Sequence, residues 1–483
     1  MKMKSRQRTS ELNQQKLGIH CTHVQPPLHS GSLFLQQKLC TVELKDTNVR
    51  EIMDTMGGQI SSDDIGHQQN SGPYPEQACD GVKPEENTMT KINFVEQSAK
   101  WKPKELIINN KIKNNPVTKN IIGQCPDVPI KYIDSGTTQA VTRISTILCK
   151  AGDSMLDKIL AGKSVLYVAP ASNNTVDTFS LPDDRMICPH FDRLKLASNG
   201  CFYQCDWCYL KLTYRAVYPF VTVRVEYDKI IKLLEKKLRI SRHPIIFNSG
   251  ELADSLAMEH LTGAAKKFIP WFGNTQNGYL FMLTKSDNVD DILDLPHNNH
   301  TIIAWSMNDE RISRKFEVGA PAFKRRLNAS KKVQSAGYPL RIRIDPIVPY
   351  DGWREGYAET VRNIFDTVAP ERITLGTLRF EEGFYRMRNS IFSSGPELSE
   401  YLSDMKPMFP PKVLPGKMRP ATGKYSFSEE IRIEIFDFVI SEIRKYSNCT
   451  IALCKESAHV WKSVGLDLSE CSCVCQLGFV DMS

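Results

Sequence analysis

From Asp192 to Phe380, short runs of β-branched and aromatic residues alternate with amphipathic stretches, and that alternation restricts the chain to a layered α/β architecture. The candidate strands are Arg193 to Ala197, Pro244 to Asn248, Tyr279 to Leu283, Thr301 to Ser306, Arg341 to Val348 and Arg372 to Thr377. Between them, DKIIKLLEKKL and PAFKRRLNASKKVQSAG place apolar residues at i, i+3 and i+4, the spacing of one helix face. Such alternation demands a parallel sheet with right-handed crossovers. Six βα units predict a partial (β/α)6 barrel of TIM type, with chemistry at the carboxyl ends of its strands.

The first candidate strand runs into three cysteines within eight residues, Cys201-Phe-Tyr-Gln-Cys205-Asp-Trp-Cys208. Structural zinc sites close at four ligands and are built from paired elements such as C-x2-C, and no second pair follows within the next hundred residues. A 4Fe-4S cluster normally takes four cysteines, so three leave one iron open for another ligand. A second concentration of thiols, Cys454 with Cys471, Cys473 and Cys475, has enough sulfur for a further metal site. Cys21, Cys40, Cys79, Cys125, Cys188 and Cys449 match no ligand spacing and are given no role.

Fourteen cysteines, clustered and without a secretory leader at Met1, suit a reducing compartment, and the expectation is an intracellular, cytoplasmic protein. No apolar run approaches the roughly 18 to 20 residues that span a bilayer, so no membrane role is expected. The net charge of +7 permits an anionic partner without requiring one. Candidates for a basic face that would meet DNA or RNA are Arg341, Arg343, Arg379, Lys417, Arg419 and Lys424. Residues 1–100 are polar, without sustained periodicity, and predict disorder. Residues 101–187 predict a small amino-terminal domain, 188–400 the barrel, and 401–483 a carboxyl-terminal extension carrying the cysteine cluster.

NGCFYQCDWCYLKLTYR, DSLAMEHLTG, LTK, WSMN, AGYPL and DPIVPYDGWREGY occur in that order between Asn199 and Tyr357, and GKYSF follows near Gly423. On these stretches the chain resembles the radical S-adenosylmethionine superfamily and, within it, the spore photoproduct lyase family. The resemblance implies a lyase-like enzyme in which Cys201, Cys205 and Cys208 hold a 4Fe-4S cluster and the amino and carboxylate groups of S-adenosylmethionine chelate the fourth iron. It further implies reductive cleavage to a 5'-deoxyadenosyl radical, fed by a one-electron donor such as flavodoxin or ferredoxin. Trp207 would pack near the adenine. Ser249, Gly250 and Glu251 would grip the ammonium, with the glycine admitting close backbone approach. Lys285, Ser306 and Asn308, at successive strand ends, would meet the rest of the same ligand.

One departure bears on the substrate. The family carries, before its EHLTG-like stretch, a cysteine that quenches the product radical, and ungapped counting from His260 puts Glu251 there. Tyr209 matches a tyrosine proposed to relay the radical in the family. Without its thiol partner, thymine-dimer reversal by that relay is in question. Two other readings stay open: a radical enzyme acting on RNA, protein or a metabolite, and a non-catalytic metal-binding or scaffold protein.

Overall fold

A run such as Thr-Ile-Ile-Ala-Trp-Ser-Met has no polar alternation, because a parallel strand in the middle of a sheet is covered on both faces. In the computed structural model all seven of its residues are buried. The structure describes residues 100–468 apart from 153, 182, 189–190, 213–217, 394–401, 415–419 and 422. The expected disorder of residues 1–100 and the thiols Cys471, Cys473 and Cys475 lie outside these residues.

In chain order the strands are β1 (Glu105–Asn109), β2 (Ile130–Ile133), β3 (Val165–Ala169), β4 (Val176–Phe179), β5 (Phe191–Leu194), β6 (Ala197–Ser198), β7 (Val221–Arg224), β8 (Ile245–Asn248), β9 (Gly278–Thr284), β10 (Thr301–Met307), β11 (Leu340–Ile347) and β12 (Arg372–Thr377). The short β13 (Arg379–Phe380), β14 (Lys406–Pro407), β15 (Lys412–Val413), β16 (Pro420–Ala421) and β17 (Tyr425–Ser426) precede β18 (Thr450–Leu453). The larger sheet has the order β18-β12-β11-β10-β9-β8-β5-β4. Its pairs are parallel from β18 through β5, and only β4 at the edge runs antiparallel. The smaller sheet, β2-β1-β3-β7-β6, is parallel except for the β6–β7 pair. The fold is therefore mixed α/β with parallel sheets.

Amphipathic helices cover these sheets. Tyr227–Ile240 buries Tyr227, Ile230 and Leu234, and Phe323–Ser335 buries Leu327 and Val333. All six expected strands are present, and the first is displaced: β5 ends at Leu194, after which Leu196 N bonds back to Leu194 O at 3.0 Å and the chain changes sheets. Ala197 and Ser198 then pair with β7 in the smaller sheet. β18 joins the larger sheet beside β12, so residues far along the chain reach its carboxyl edge. Among the described residues no helix is long and apolar enough to cross a membrane.

Glu259 shows how tightly the loop after β8 is closed. Its carboxylate accepts from Ala265 N at 2.9 Å and Lys266 N at 3.3 Å, capping the helix Ala264–Gly273, yet it is only 3% exposed. Burial pushes its carboxyl up to about 7 despite those amides. A carboxyl raised above its unfolded value is neutral in the fold at low pH and costs stability as pH climbs through the interval between the two values. Glu259→Gln keeps an acceptor for the cap and removes the charge. It should stabilise the protein by on the order of 2 kcal/mol above pH 7, with the gain fading below pH 4 to 5, as read by denaturant unfolding across pH.

Candidate active site

Two successive left-handed residues, Asn199 (φ 66°) and Gly200 (φ 85°), turn the chain out of β6 into the cysteine loop. The loop is then pinned by its backbone. Gly200 N donates to Leu252 O at 2.9 Å, and Gln204 N and Asp206 N donate to Val318 O and Phe316 O, each at 2.8 Å. Lys163 Nζ reaches Cys201 O at 2.7 Å. Asp206 and Lys211 form a fully buried ion pair at 3.0 Å. Ser393 N donates to that carboxylate at 2.6 Å, and the ammonium donates to Ile391 O at 3.0 Å. Buried charges persist only when both are paired and further bonded, as here.

Cys205 packs with Tyr203 and Ala257, and Cys201 and Cys208 lie against the same cluster. Without metal, burial pushes the Cys201 thiol up to about 12 and the Cys205 thiol higher still. Among the described residues no three His, Cys, Asp or Glu side chains converge as ligands of one metal ion. Three soft thiols set along one rigid loop fit a cluster that takes one thiolate on each of three irons better than they fit a single zinc. Trp207 packs against Phe316 at 5.7 Å, and its buried indole N–H has no hydrogen-bond partner among the described residues.

After β8, Asn248 Oδ1 accepts from Gly250 N at 2.8 Å, while the buried Asn248 Nδ2 has no partner among the described residues. A Cβ on Gly250 would stand 2.7 Å from Leu283 Cβ and 2.8 Å from Leu283 O. The close approach that this glycine permits is therefore to β9. Ser249 Oγ bonds to Ser255 Oγ at 2.9 Å and Phe281 O at 3.2 Å. Glu251 faces Tyr209, whose hydroxyl donates to Glu251 O at 2.6 Å and lies 3.4 Å from its carboxylate. On its other side, Lys455 Nζ is 4.0 Å from Glu251 Oε1.

At the ends of β9 and β10 the structure brings Lys285 and Ser306 together, Nζ to Oγ at 2.6 Å. Lys285 also pairs with the buried Glu317 at 3.3 Å, which in turn holds Arg326 at 2.5 Å. Asn308 is occupied by the protein itself: its amide donates to Pro346 O at 2.8 Å and accepts from Tyr357 OH at 2.7 Å.

The basic residues separate. Arg341 lies at the amino end of β11, paired with Glu371 at 2.6 Å. Arg343 and Arg379 both grip Asp345, at 2.6 and 3.0 Å. Burial alone would raise the Asp345 carboxyl, but these two guanidinium groups hold it far below the usual carboxylate range. Lys424 bonds Glu381. Lys417 and Arg419 fall outside the described residues. Cys454, assigned by its spacing to a carboxyl-terminal metal cluster, is buried here with Arg343 donating to its sulfur at 2.7 Å.

Four residues of the site were not singled out from the sequence: Asp254, which opens the DSLAMEHLTG stretch, and Glu317, Arg326 and Lys455, which lie outside the motifs. Asp254 alone left a local signal, an aspartate two and three residues before amides that its Oδ1 accepts, as in an Asx turn. Lys455 (φ 53°) left none, because β18 meets β12 only through the fold.

The sequence model of the spore photoproduct lyase family matches residues 101–389. The spore photoproduct lyase of Geobacillus sp. (strain Y412MC61) is 35% identical over 186 residues, which are 38% of this chain and 53% of that protein. The chain thus spans about half the length of that relative. The enzyme of that name from Clostridium acetobutylicum is 24% identical over 352 residues, 71% of this chain and 96% of the relative. The solved structure of spore photoproduct lyase complexed with dinucleoside spore photoproduct superposes with a TM-score of 0.60 at 24% identity, covering 73% of this chain and 98% of that one. A variant with bound AdoMet and the same dinucleoside gives 0.60 at 23% identity, over 74% and 100%. By its sequence match over most of the described residues, with the fold in agreement, this chain belongs to the spore photoproduct lyase family.

Proposed function

We propose that the chain is a radical S-adenosylmethionine lyase that acts on a spore-photoproduct lesion in DNA. The observation that carries this reading is the pinned three-thiol loop, facing strand ends that hold one carboxylate, Glu251, and one ammonium, Lys285. Cys201, Cys205 and Cys208 would hold a 4Fe-4S cluster. When bound, that cluster and S-adenosylmethionine supply a 5'-deoxyadenosyl radical able to abstract hydrogen from a substrate.

The chain's own residues position and shield. Glu251 would take the ligand's ammonium through charge-assisted hydrogen bonds, with Ser249 and Gly250 shaping the loop that presents it. Lys285, steadied by Ser306 and by Glu317, would take its carboxylate. The buried donors of Trp207 and Asn248, without acceptors among the described residues, would meet acceptors on the same ligand. Asn308 would act indirectly, by fixing the end of β10. Tyr209, half-exposed and bonded to Glu251 O, would handle the substrate radical.

The parallel run of β5 and β8 to β12 supports a partial barrel as the holder, with residues 101–187 as a small amino-terminal domain and 401–483 as an extension. Flavodoxin or ferredoxin is the class of electron donor that fits. Cys454 suits a second metal site poorly, since Arg343 occupies its sulfur and a cation would have to displace one.

Anaerobic reconstitution tests this reading. The chain should bind about four irons and form 5'-deoxyadenosine when reduced with S-adenosylmethionine, and Cys201→Ala, Cys205→Ala or Cys208→Ala should each abolish that product. Zinc alone, with no 5'-deoxyadenosine, would leave a metal-binding scaffold. Cleavage without conversion of dinucleoside spore photoproduct would instead point to another substrate. Gly250→Ala must press a methyl into Leu283 and should cost about 1 to 3 kcal/mol of unfolding stability in the cluster-free protein. An unshifted denaturation midpoint would show that β8 and β9 are not held as closely as they stand.

A further inference from the structure

An antiparallel bridge joins Ile187 to Glu456, with Ile187 N donating to Glu456 O at 2.7 Å. It brings together the segments that carry two thiols far apart in sequence, Cys188 and Cys454. It also places them beside Lys455, whose ammonium is 4.0 Å from Glu251. Lys455 sits in the left-handed region between two anchored neighbours: Cys454 N donates to Leu375 O at 2.8 Å, and Glu456 accepts from Ile187 and pairs with Arg432 at 3.2 Å. A non-glycine residue held in that conformation marks a place where side-chain direction has been bought with backbone strain. Here the direction is toward Glu251 and Tyr209.

The groups in this chamber differ in what hydrogen they can give. Glu251 as a carboxylate has none. The Tyr209 hydroxyl is committed to Glu251 O at 2.6 Å. The N–H bonds of Lys455 and Arg343 are too strong to yield a hydrogen atom to a carbon radical, and an S–H bond is weak enough. Two thiols qualify by composition, and the structure distinguishes them. Cys454 is 4% exposed, and its sulfur takes a hydrogen bond from Arg343. Cys188 is half-buried, follows the bridged Ile187, and lies near enough to feel the charges of Lys455, Glu251 and Arg343. Burial pushes its thiol up to about 11, so the sulfur keeps its hydrogen at neutral pH.

We propose that Cys188 is the hydrogen-atom donor to the carbon radical formed on the substrate, supplied from across the fold opposite Glu251. This rests on the radical lyase reading above. In the step, a C–H bond forms on the substrate as the S–H bond of Cys188 breaks, leaving a thiyl radical. One electron from the one-electron donor and one proton from water restore the thiol. Lys455 and the Ile187–Glu456 bridge act as positioning groups.

Thiol hydrogens exchange with solvent, which makes the donor visible. The reconstituted full chain, given dinucleoside spore photoproduct and S-adenosylmethionine in D2O, should place deuterium in the repaired product. In Cys188→Ser the labelled product formed per 5'-deoxyadenosine should fall about tenfold or more. Cys188→Ser that retains the label overturns the assignment, and loss of label in Cys454→Ser alone moves the donor to that residue. Wild type that makes no 5'-deoxyadenosine sinks the radical reading first, a result distinct from either. A second readout needs no cluster: in the metal-free protein, dinucleoside spore photoproduct should slow iodoacetamide labelling of Cys188, followed by peptide mass spectrometry. Equal labelling with and without the dinucleoside would place Cys188 outside the substrate's reach and overturn the proposal.

Discussion

Asp254 accepts four hydrogen bonds at one junction, and the two strand ends of the candidate site depend on it. Its Oδ1 takes Leu256 N at 2.9 Å, Ala257 N at 2.8 Å and Thr284 Oγ1 at 2.7 Å, and its Oδ2 takes Lys285 N at 2.6 Å. The loop carrying Gly250 and Glu251 is thereby tied to the residue that ends β9. Gly250 lying against Leu283 closes the same seam from the other side. Charge-assisted bonds of this kind are roughly twice as strong as neutral ones, and three of the four donors here are backbone amides with little freedom to move. The spacing between Glu251 and Lys285 is set by this junction rather than by any ligand.

The same logic explains why the short stretches that resemble the family come as a set. DSL and LTK are joined through Asp254, and WSMN is joined to DPIVPYDGWREGY through Asn308, which bonds both Pro346 O and Tyr357 OH. Gly356, in the helix Trp353–Thr367, sits where a Cβ would overlap Tyr350 Oη and Asp309 Oδ2, so that helix, too, closes on its neighbour. Each motif is half of a contact between adjacent βα units. A side chain at a strand end is available to a ligand only where such contacts leave a face open, as they do at Glu251 and at the Lys285–Ser306 pair.

Periodicity made the larger sheet legible, because buried parallel strands and one-faced helices write their environment into every residue. All six central strands lay within three residues of where the pattern put them. The smaller sheet was read only as short elements ahead of a domain, since β1 to β3 and β7 are separated in sequence by the cysteine loop and pair across it. The cysteine loop and Glu251 were visible as local motifs. Cys188 and Lys455 were not, because nothing local distinguishes a thiol or an ammonium that a bridge between Ile187 and Glu456 will later carry to Glu251. Gly250 makes a related point: a glycine announces a close approach, and only the fold shows that one partner here is Leu283.

Charge accounting then connects the scaffold to the ligand it is proposed to hold. Among the described residues at the strand ends, cations and carboxylates already face each other: Lys455 with Glu251, Arg343 and Arg379 with Asp345, Lys285 and Arg326 with Glu317. An unpaired buried charge in such a place would cost several kcal/mol, and each of these charges has a partner. The methionyl end of S-adenosylmethionine, one ammonium and one carboxylate, changes that balance least. Its ammonium can share Glu251, which Lys455 holds only loosely at 4.0 Å, and its carboxylate can share Lys285, which keeps Glu317 behind it. The fit proposed for an ammonium and a carboxylate set side by side therefore follows from how the protein neutralises itself, at the two positions where the motif contacts leave side chains open.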